Sequence, residues 1–217
     1  MRSTKYRPYR MTRRAASVDE TRERITAATA RLHTTVGPAN TSVAAIAAEA
    51  GVTRLTVYRH FPDLEVLSQA CRAHWRAENP PPDARTWSDT PKFEPRARRA
   101  LTELYAWYRA HADELFPIYR DVTSMPSTAQ EAMRAANRRL DDLLVGGAAS
   151  GGFAGQQLRA VARHLLDYRT WRSLAINQEL GDTDTVEVGV RLLTVLATAP
   201  RVGRSRRLFL EVEPPGV

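Results

Sequence analysis

Cysteine occurs once in 217 residues, at Cys71. A single thiol excludes an internal disulfide framework and a multi-cysteine zinc site, and a reducing cytoplasm is the setting it suits. No apolar run approaches the ~18 residues of a membrane span. The basic N-terminus is not followed by the apolar stretch of a secretory signal, so neither a membrane partner nor export is expected. Lysine is nearly missing: arginine supplies all but two of the 32 basic residues, a preference that reads as genomic composition rather than phosphate recognition. Catalytic signatures are missing too. There is no phosphate-cradling GxxxxGK, no HExxH and no GxSxG. The pairs Asp113-Glu114 and Asp141-Asp142 are adjacent, so on a helix their side chains diverge by about 100° and cannot act as one acid/base pair. His164 and Tyr168 share a helix face, but no second histidine or carboxylate stands at metal-ligand spacing from them. No metal, no cofactor and no enzymatic activity are therefore expected.

What is present is a helical chain with its charge at one end. Residues 1–76 carry 13 basic against 6 acidic residues, whereas residues 77–217 carry 19 against 18. Arg2, Lys5, Arg7, Arg10, Arg13 and Arg14 precede any acid, as expected of an arm following a phosphate backbone, although a solvated tail has the same composition. Within Thr41–Phe61, Val43, Ile46, Ala47 and Ala50 repeat at i, i+3, i+4 and i+7, one apolar stripe of a short helix with Thr41 as its N-cap. Gly51 ends it, since glycine adopts positive φ cheaply. Thr53 then caps a second helix carrying Val57. Two helices joined so tightly form a helix-turn-helix.

The other elements also read as helices. Ser17 and Glu20 have capping-box spacing and open a first helix with the stripe Ile25, Ala28, Leu32 and Val36. Leu64, Leu67, Cys71 and Trp75 mark a fourth helix, with Cys71 a structural thiol on its buried stripe. Five prolines in residues 79–95 prevent a continuing helix and form a junction. Beyond it, Leu101, Leu104, Tyr105 and Tyr108 share a face of a helix over 96–112. A shorter helix spans about 115–123, interrupted near its start by Pro117. Ser127 and Gln130 have capping-box spacing for a helix through Met133, Leu140 and Leu144. A glycine-rich loop, 146–155, leads to a long helix over about 156–180, apolar on two faces. Asp184 and Glu187 cap a last one with Val188, Leu192, Val195 and Leu196. The expected division is a basic arm over 1–16, a helix-turn-helix domain over 17–78, the junction over 79–95, a helical domain over 96–200, and a tail over 201–217 with no clear periodicity.

The run TSVAAIAAEAGVTRLTVYRHFPD resembles the DNA-binding domain of the TetR family of bacterial regulators. The likeness covers about Val18 to Trp75, and the string Thr56-Val57-Tyr58-Arg59-His60-Phe61 is specific to that family. It implies a three-helix DNA-binding domain, a fourth helix joining it to a helical ligand-binding and dimerisation domain, and a homodimer built mainly from the last two long helices. Two positions depart from the usual pattern: Leu55 stands where the family commonly has a small residue, and Leu64 where it commonly has lysine.

Helical geometry names the DNA face independently. With Val57 and Phe61 toward the core, Leu55 and Arg59 point farthest outward, flanked by Thr56 and Tyr58. Arg54 near the helix start suits guanine and Leu55 a thymine methyl. The resemblance implies that Thr56, Tyr58 and His60 meet phosphates; Thr41, Thr53, Arg13 and Arg14 complete the expected DNA-binding set. For a ligand, Tyr105, Trp107, Tyr108, Phe116 and Tyr119 place five aromatics within fifteen residues, and Met133, Asn137, His164, Tyr168 and Trp171 come from two later helices. Apolar walls with a few polar groups suit a small-molecule site, and an ordinary aromatic core has the same residues. The reading is an all-α, homodimeric transcriptional regulator, a repressor that leaves a palindromic double-stranded operator on binding a small apolar or aromatic effector. Its rivals are a DNA-binding regulator without a small-molecule effector and a helical carrier or enzyme for an apolar ligand, the latter with no need for a basic N-terminal third.

Overall fold

The computed structural model describes residues 7–148 and 153–198, with backbone alone at 7–15, 147 and 153. Among the described residues every regular element is helical. Helix α1, Arg7–Thr35, begins ten residues before the expected cap at Ser17. No glycine or proline interrupts residues 9–36, and Pro8 sits in the first turn, where a missing N–H costs nothing. Inside the helix, the Ser17 carbonyl accepts from the Thr21 hydroxyl. Most of the expected arm is thus part of α1, while residues 1–6 and the Arg13 and Arg14 side chains lie outside the described set. Gly37 ends α1 at φ +95°, and a Cβ there would collide with the Asp121 carboxylate.

A short 3-10 turn, Pro38–Asn40, leads to α2, Val43–Glu49. The cap of α2 is Ser42, which accepts from Ala45 N at 3.1 Å, and not Thr41. Thr41 closes the preceding turn, donating its hydroxyl to Gly37 O at 2.8 Å. At the far end Gly51 has φ +64°. Its N–H reaches Ala48 O and that of Val52 reaches Ala47 O, the paired bonds of a Schellman cap. Thr53 caps α3, Arg54–His60, as its position predicts. Helix α4, Leu64–Glu78, follows. Leu64, the first helical residue, is 44 % exposed and not part of its buried stripe, which consists of Leu67, Ser68, Cys71 and Trp75.

The proline-rich stretch is packed. A 3-10 helix, Ala84–Asp89, buries Trp87 completely. The Trp87 indole donates to Glu103 at 2.8 Å, and Arg99 reaches Thr86 O at 3.0 Å. Helix α5 spans Phe93–Ala110, starting earlier than expected because Pro95 fits its first turn. In α6, Ala112–Arg120, Pro117 lies inside the helix, giving up only the bond to the Asp113 carbonyl.

Helix α7, Ser127–Val145, starts after Pro126 without a side-chain cap. The expected Ser127–Gln130 box is replaced by Gln130 reaching back to Met125 O at 3.0 Å. The expected long helix over 156–180 is broken. Helix α8, Phe153–Leu165, stops; Asp167 caps α9, Tyr168–Arg172, by accepting from Arg169 N at 2.8 Å; a π-helical turn, Ser173–Asn177, continues it. Helix α10, Asp182–Thr198, starts before the expected caps Asp184 and Glu187, which lie in or beyond its first turn. Gly189 lets α10 approach closely, since a Cβ there would stand 2.7 Å from Leu101. The tail over 201–217 and residues 149–152 of the glycine-rich loop lie outside the described set.

Two apolar cores result. The smaller gathers Ile25 and Ala28 of α1, Ile46, Ala47 and Ala50 of the α2 segment, Val57 and Phe61 of α3, and Leu67 of α4. The larger fills the space between α5 and α10, and it also takes Ala30 of α1 and Cys71 and Trp75 of α4. Helices α1 and α4 therefore belong to both.

Candidate nucleic-acid interface and the adjoining cavity

Helix α3 is seated by two fully buried side chains, Val57 and Phe61, and held at both ends. At its N-terminus Thr53 accepts from Thr56 N at 3.1 Å, and the two hydroxyls share a proton at 2.9 Å, leaving the other proton unused. At its C-terminus Arg22 of α1 donates to His60 O at 2.7 Å, while its guanidinium stacks 4.0 Å from the Phe61 ring centre. With those residues inward, the opposite side faces water. Leu55 is 77 % exposed and Tyr58 48 %, with Arg54 and Arg59 also exposed. His60 is half-buried, and burial, with Arg59 and Arg22 beside it, lowers its pKa. The imidazole is neutral at pH 7 and can donate one N–H.

Residues 25–71 match the family model of bacterial regulatory proteins, tetR family. The N-terminal domain is a TetR-family DNA-binding domain. The match supports a DNA-binding transcriptional regulator. No curated protein and no solved structure matches it. No helix of the described residues is long and apolar enough to cross a membrane.

Two groups beside the TetR-family recognition helix were missed in the sequence. Ser42 is exposed, and because its hydroxyl accepts from Ala45 N its own proton stays available, whereas Thr41 has spent its proton on Gly37 O. Serine next to threonine before a helix was the available signal. Arg22 was hidden because its target lies 38 residues away.

Behind this domain, where α1 and α4 pack against α5, α6 and α7 at the edge of the larger core, lies a cavity of about 90 Å³. Its walls come from α1, α4, α5, α6 and α7. Of the ten expected ligand residues, Trp107, Tyr119, Met133 and Asn137 line it. The other six lie elsewhere. The break after α8 leaves carbonyls without helical donors, and Tyr105 and Tyr108 donate to two of them, Leu165 O at 2.8 Å and Leu166 O at 2.7 Å. Tyr168 donates to Ala112 O at 2.6 Å, and Trp171 is buried beside Tyr108 and Tyr168. Phe116 is 39 % exposed, with Arg172 over its ring at 4.1 Å. His164 is on the outer side of α8, 3.3 Å from the Thr170 hydroxyl. Five of these build or cover the core, whereas His164 is exposed and, with Asn137, lines an open groove between α7, α8 and α10.

The helices α1 and α4 contribute walls that the sequence did not suggest, among them His33, Arg72 and Arg76. Burial lowers the His33 pKa and pushes the Cys71 thiol up to about 12, so both are neutral there. Below the cavity, Asp121 accepts from Ala39 N at 3.1 Å and pairs with Arg120 at 2.7 Å, and Arg120 donates to Val36 O at 2.9 Å. The end of α6 is thereby tied to the turn that precedes α2. Among the described residues no cluster of His, Cys, Asp and Glu could hold a metal.

Proposed function

We propose that the chain acts as a homodimeric repressor that inserts α3 into the major groove of a palindromic operator and releases it when a small apolar or aromatic effector enters the cavity. The observation that carries this reading is the outward side of α3, where Arg54, Leu55, Tyr58 and Arg59 stand in water on a helix fixed at both ends. Arg54 and Leu55 read bases; Ser42, Thr53, Thr56 and His60 fix register at phosphates, with Arg13 and Arg14 following the backbone farther out.

Pairing through α8 and α10 is supported by Val188, Leu192 and Val195, which are 37 %, 49 % and 66 % exposed and recur along one side of α10. A monomer gains nothing from such an apolar stripe in water. Effector control is supported by the position of the cavity: a molecule wedged between α1 or α4 and α5–α7 changes the fit of the two cores, and hence the spacing of two recognition helices that must lie roughly 34–36 Å apart.

The test is site selection from random duplexes with the full chain, followed by titration of the selected site. A two-fold symmetric site, a protein mass of two chains, and affinity falling by orders of magnitude between about 50 and 200 mM salt are expected. A monomer, or an affinity flat in salt, contradicts the proposal.

A further inference from the structure

We infer that the cavity between α1, α4 and α5–α7 takes a small apolar carboxylate, an acid with a single ring or short chain. The inference deepens the effector reading above and rests on it for the identity of the site. The lining contains two cations, Arg72 and Arg76, and among the described residues no carboxylate. Most of the remaining wall is apolar, including Trp75, Leu115, Ile118 and Met133.

Arg72 is half-buried, and the ionisable groups around it are Arg76, Tyr119 and Cys71, with no acid among them. Burial and the like charge of Arg76 lower its pKa. A cation so placed is stabilised by an incoming anion more than by anything the protein supplies. Other half-buried arginines have partners within the protein: Arg99 pairs with Glu103 and Arg159 with Asp142, while Arg22 and Arg96 end on backbone carbonyls.

A second, independent observation lies on the same cavity. The Trp107 indole nitrogen is buried with no hydrogen-bond partner. By contrast, the Trp75 indole ends on Glu114 and that of Trp87 on Glu103. The Trp171 indole is also without a partner, but it does not line the cavity. A carboxylate has an oxygen for a guanidinium and another for an indole N–H, while its hydrocarbon part lies against the apolar wall. Size limits the acid: an apolar cavity of ~150 Å³ admits benzene. At about 90 Å³ a one-ring ligand requires a small outward shift, which the unbranched side chains of Met125 and Met133 allow.

The probes are benzoate and phenylacetate against their neutral amides, benzamide and phenylacetamide, titrated into the full chain by calorimetry and followed by thermal melting. The acids are expected to bind at least tenfold more tightly than the amides and to raise the melting temperature accordingly. Arg72→Gln is expected to abolish that tenfold preference by weakening acid binding more than amide binding. Trp107→Phe is expected to weaken acid and amide alike, since both present an acceptor oxygen. Should Arg72→Gln fail to fold, Arg76→Gln carries the same comparison at the cavity mouth. Amides binding as tightly as acids overturn the inference and leave the effector reading intact. Acids that bind with the expected preference yet leave operator affinity unchanged uphold the inference and contradict the effector reading. No binding by any of the four contradicts the inference outright.

Discussion

The turn between α2 and α3 is closed by bonds that span three to five residues, Gly51 N to Ala48 O and Val52 N to Ala47 O. The joint between α5 and α8 is closed by Tyr105 and Tyr108 donating to carbonyls 60 and 58 residues away. In the first region the partners sit within one window of sequence, so glycine at Gly51 and threonine at Thr53 can be interpreted from their neighbours alone. In the second, a tyrosine that caps a broken helix and a tyrosine that lines a cavity look the same until the chain is folded. The two regions nonetheless share α1 and α4, so damage to either is felt by the other.

The largest test of this comparison removes one buried side chain from each core. Trp87→Ala should lower the stability of the whole chain by about 3–5 kcal/mol, and Val57→Ala by about 2 kcal/mol, the usual costs of such truncations. Because α1 and α4 run through both cores, each variant should melt in a single transition. Calorimetry resolving two separate transitions, or a larger loss for Val57→Ala, would break the picture of two cores held by common helices.

A smaller effect sharpens the link between them. The Arg120 guanidinium beside Asp121, helped by Ala39 N–H, holds the carboxyl below its usual range. A depressed carboxylate pKa stabilises the fold above the unfolded value, about 3.9, and that contribution is lost as pH falls through the folded value. Asp121→Asn should therefore melt several degrees below the parent at pH 7, by an effect of about 1–3 kcal/mol for a charge-assisted bond. The gap should narrow as pH falls below about 4. A gap independent of pH would show that Asp121 acts by shape alone.

The smallest concerns His60. Its pKa is depressed in the free protein, and a phosphate beside it would favour the charged form. Operator affinity should then rise as pH falls from 7.5 to 5.5. His60→Gln should flatten that rise; a rise of unchanged size in the variant would locate the titrating group elsewhere.

How far the sequence carried this reading differs between the same two regions. The stripe Val43, Ile46, Ala47 and Ala50 and the seat of Val57 and Phe61 were legible because helical period alone sorts them. Thr41 and Ser17 were misassigned as caps because a capping residue is defined by the dihedral where a helix starts: Ser42 holds that place for α2, and α1 already runs through Ser17 from Arg7. The break at Leu166–Asp167 was masked by apolar residues continuing through it, although Asp167 carried the signal of a new cap. Among the cavity walls, Trp107 and Tyr119 were found through aromatic density. Arg72 and Arg76 were not, since a charged residue on an amphipathic helix looks solvated until α6 and α7 are packed beside it.

Which residues of α3 read bases decides how the helix docks. A matrix of every single-base change in the selected operator, measured with the parent, Arg54→Ala and His60→Ala after each variant is shown to match the parent in melting and dimer mass, separates reading from positioning. Arg54→Ala should cost about 1–3 kcal/mol at one base pair per half-site and relax preference there, the worth of a bidentate arginine contact. His60→Ala should weaken all sequences nearly equally. If His60→Ala instead changes the preferred base while Arg54→Ala leaves every preference intact, the docking of α3 described here is wrong.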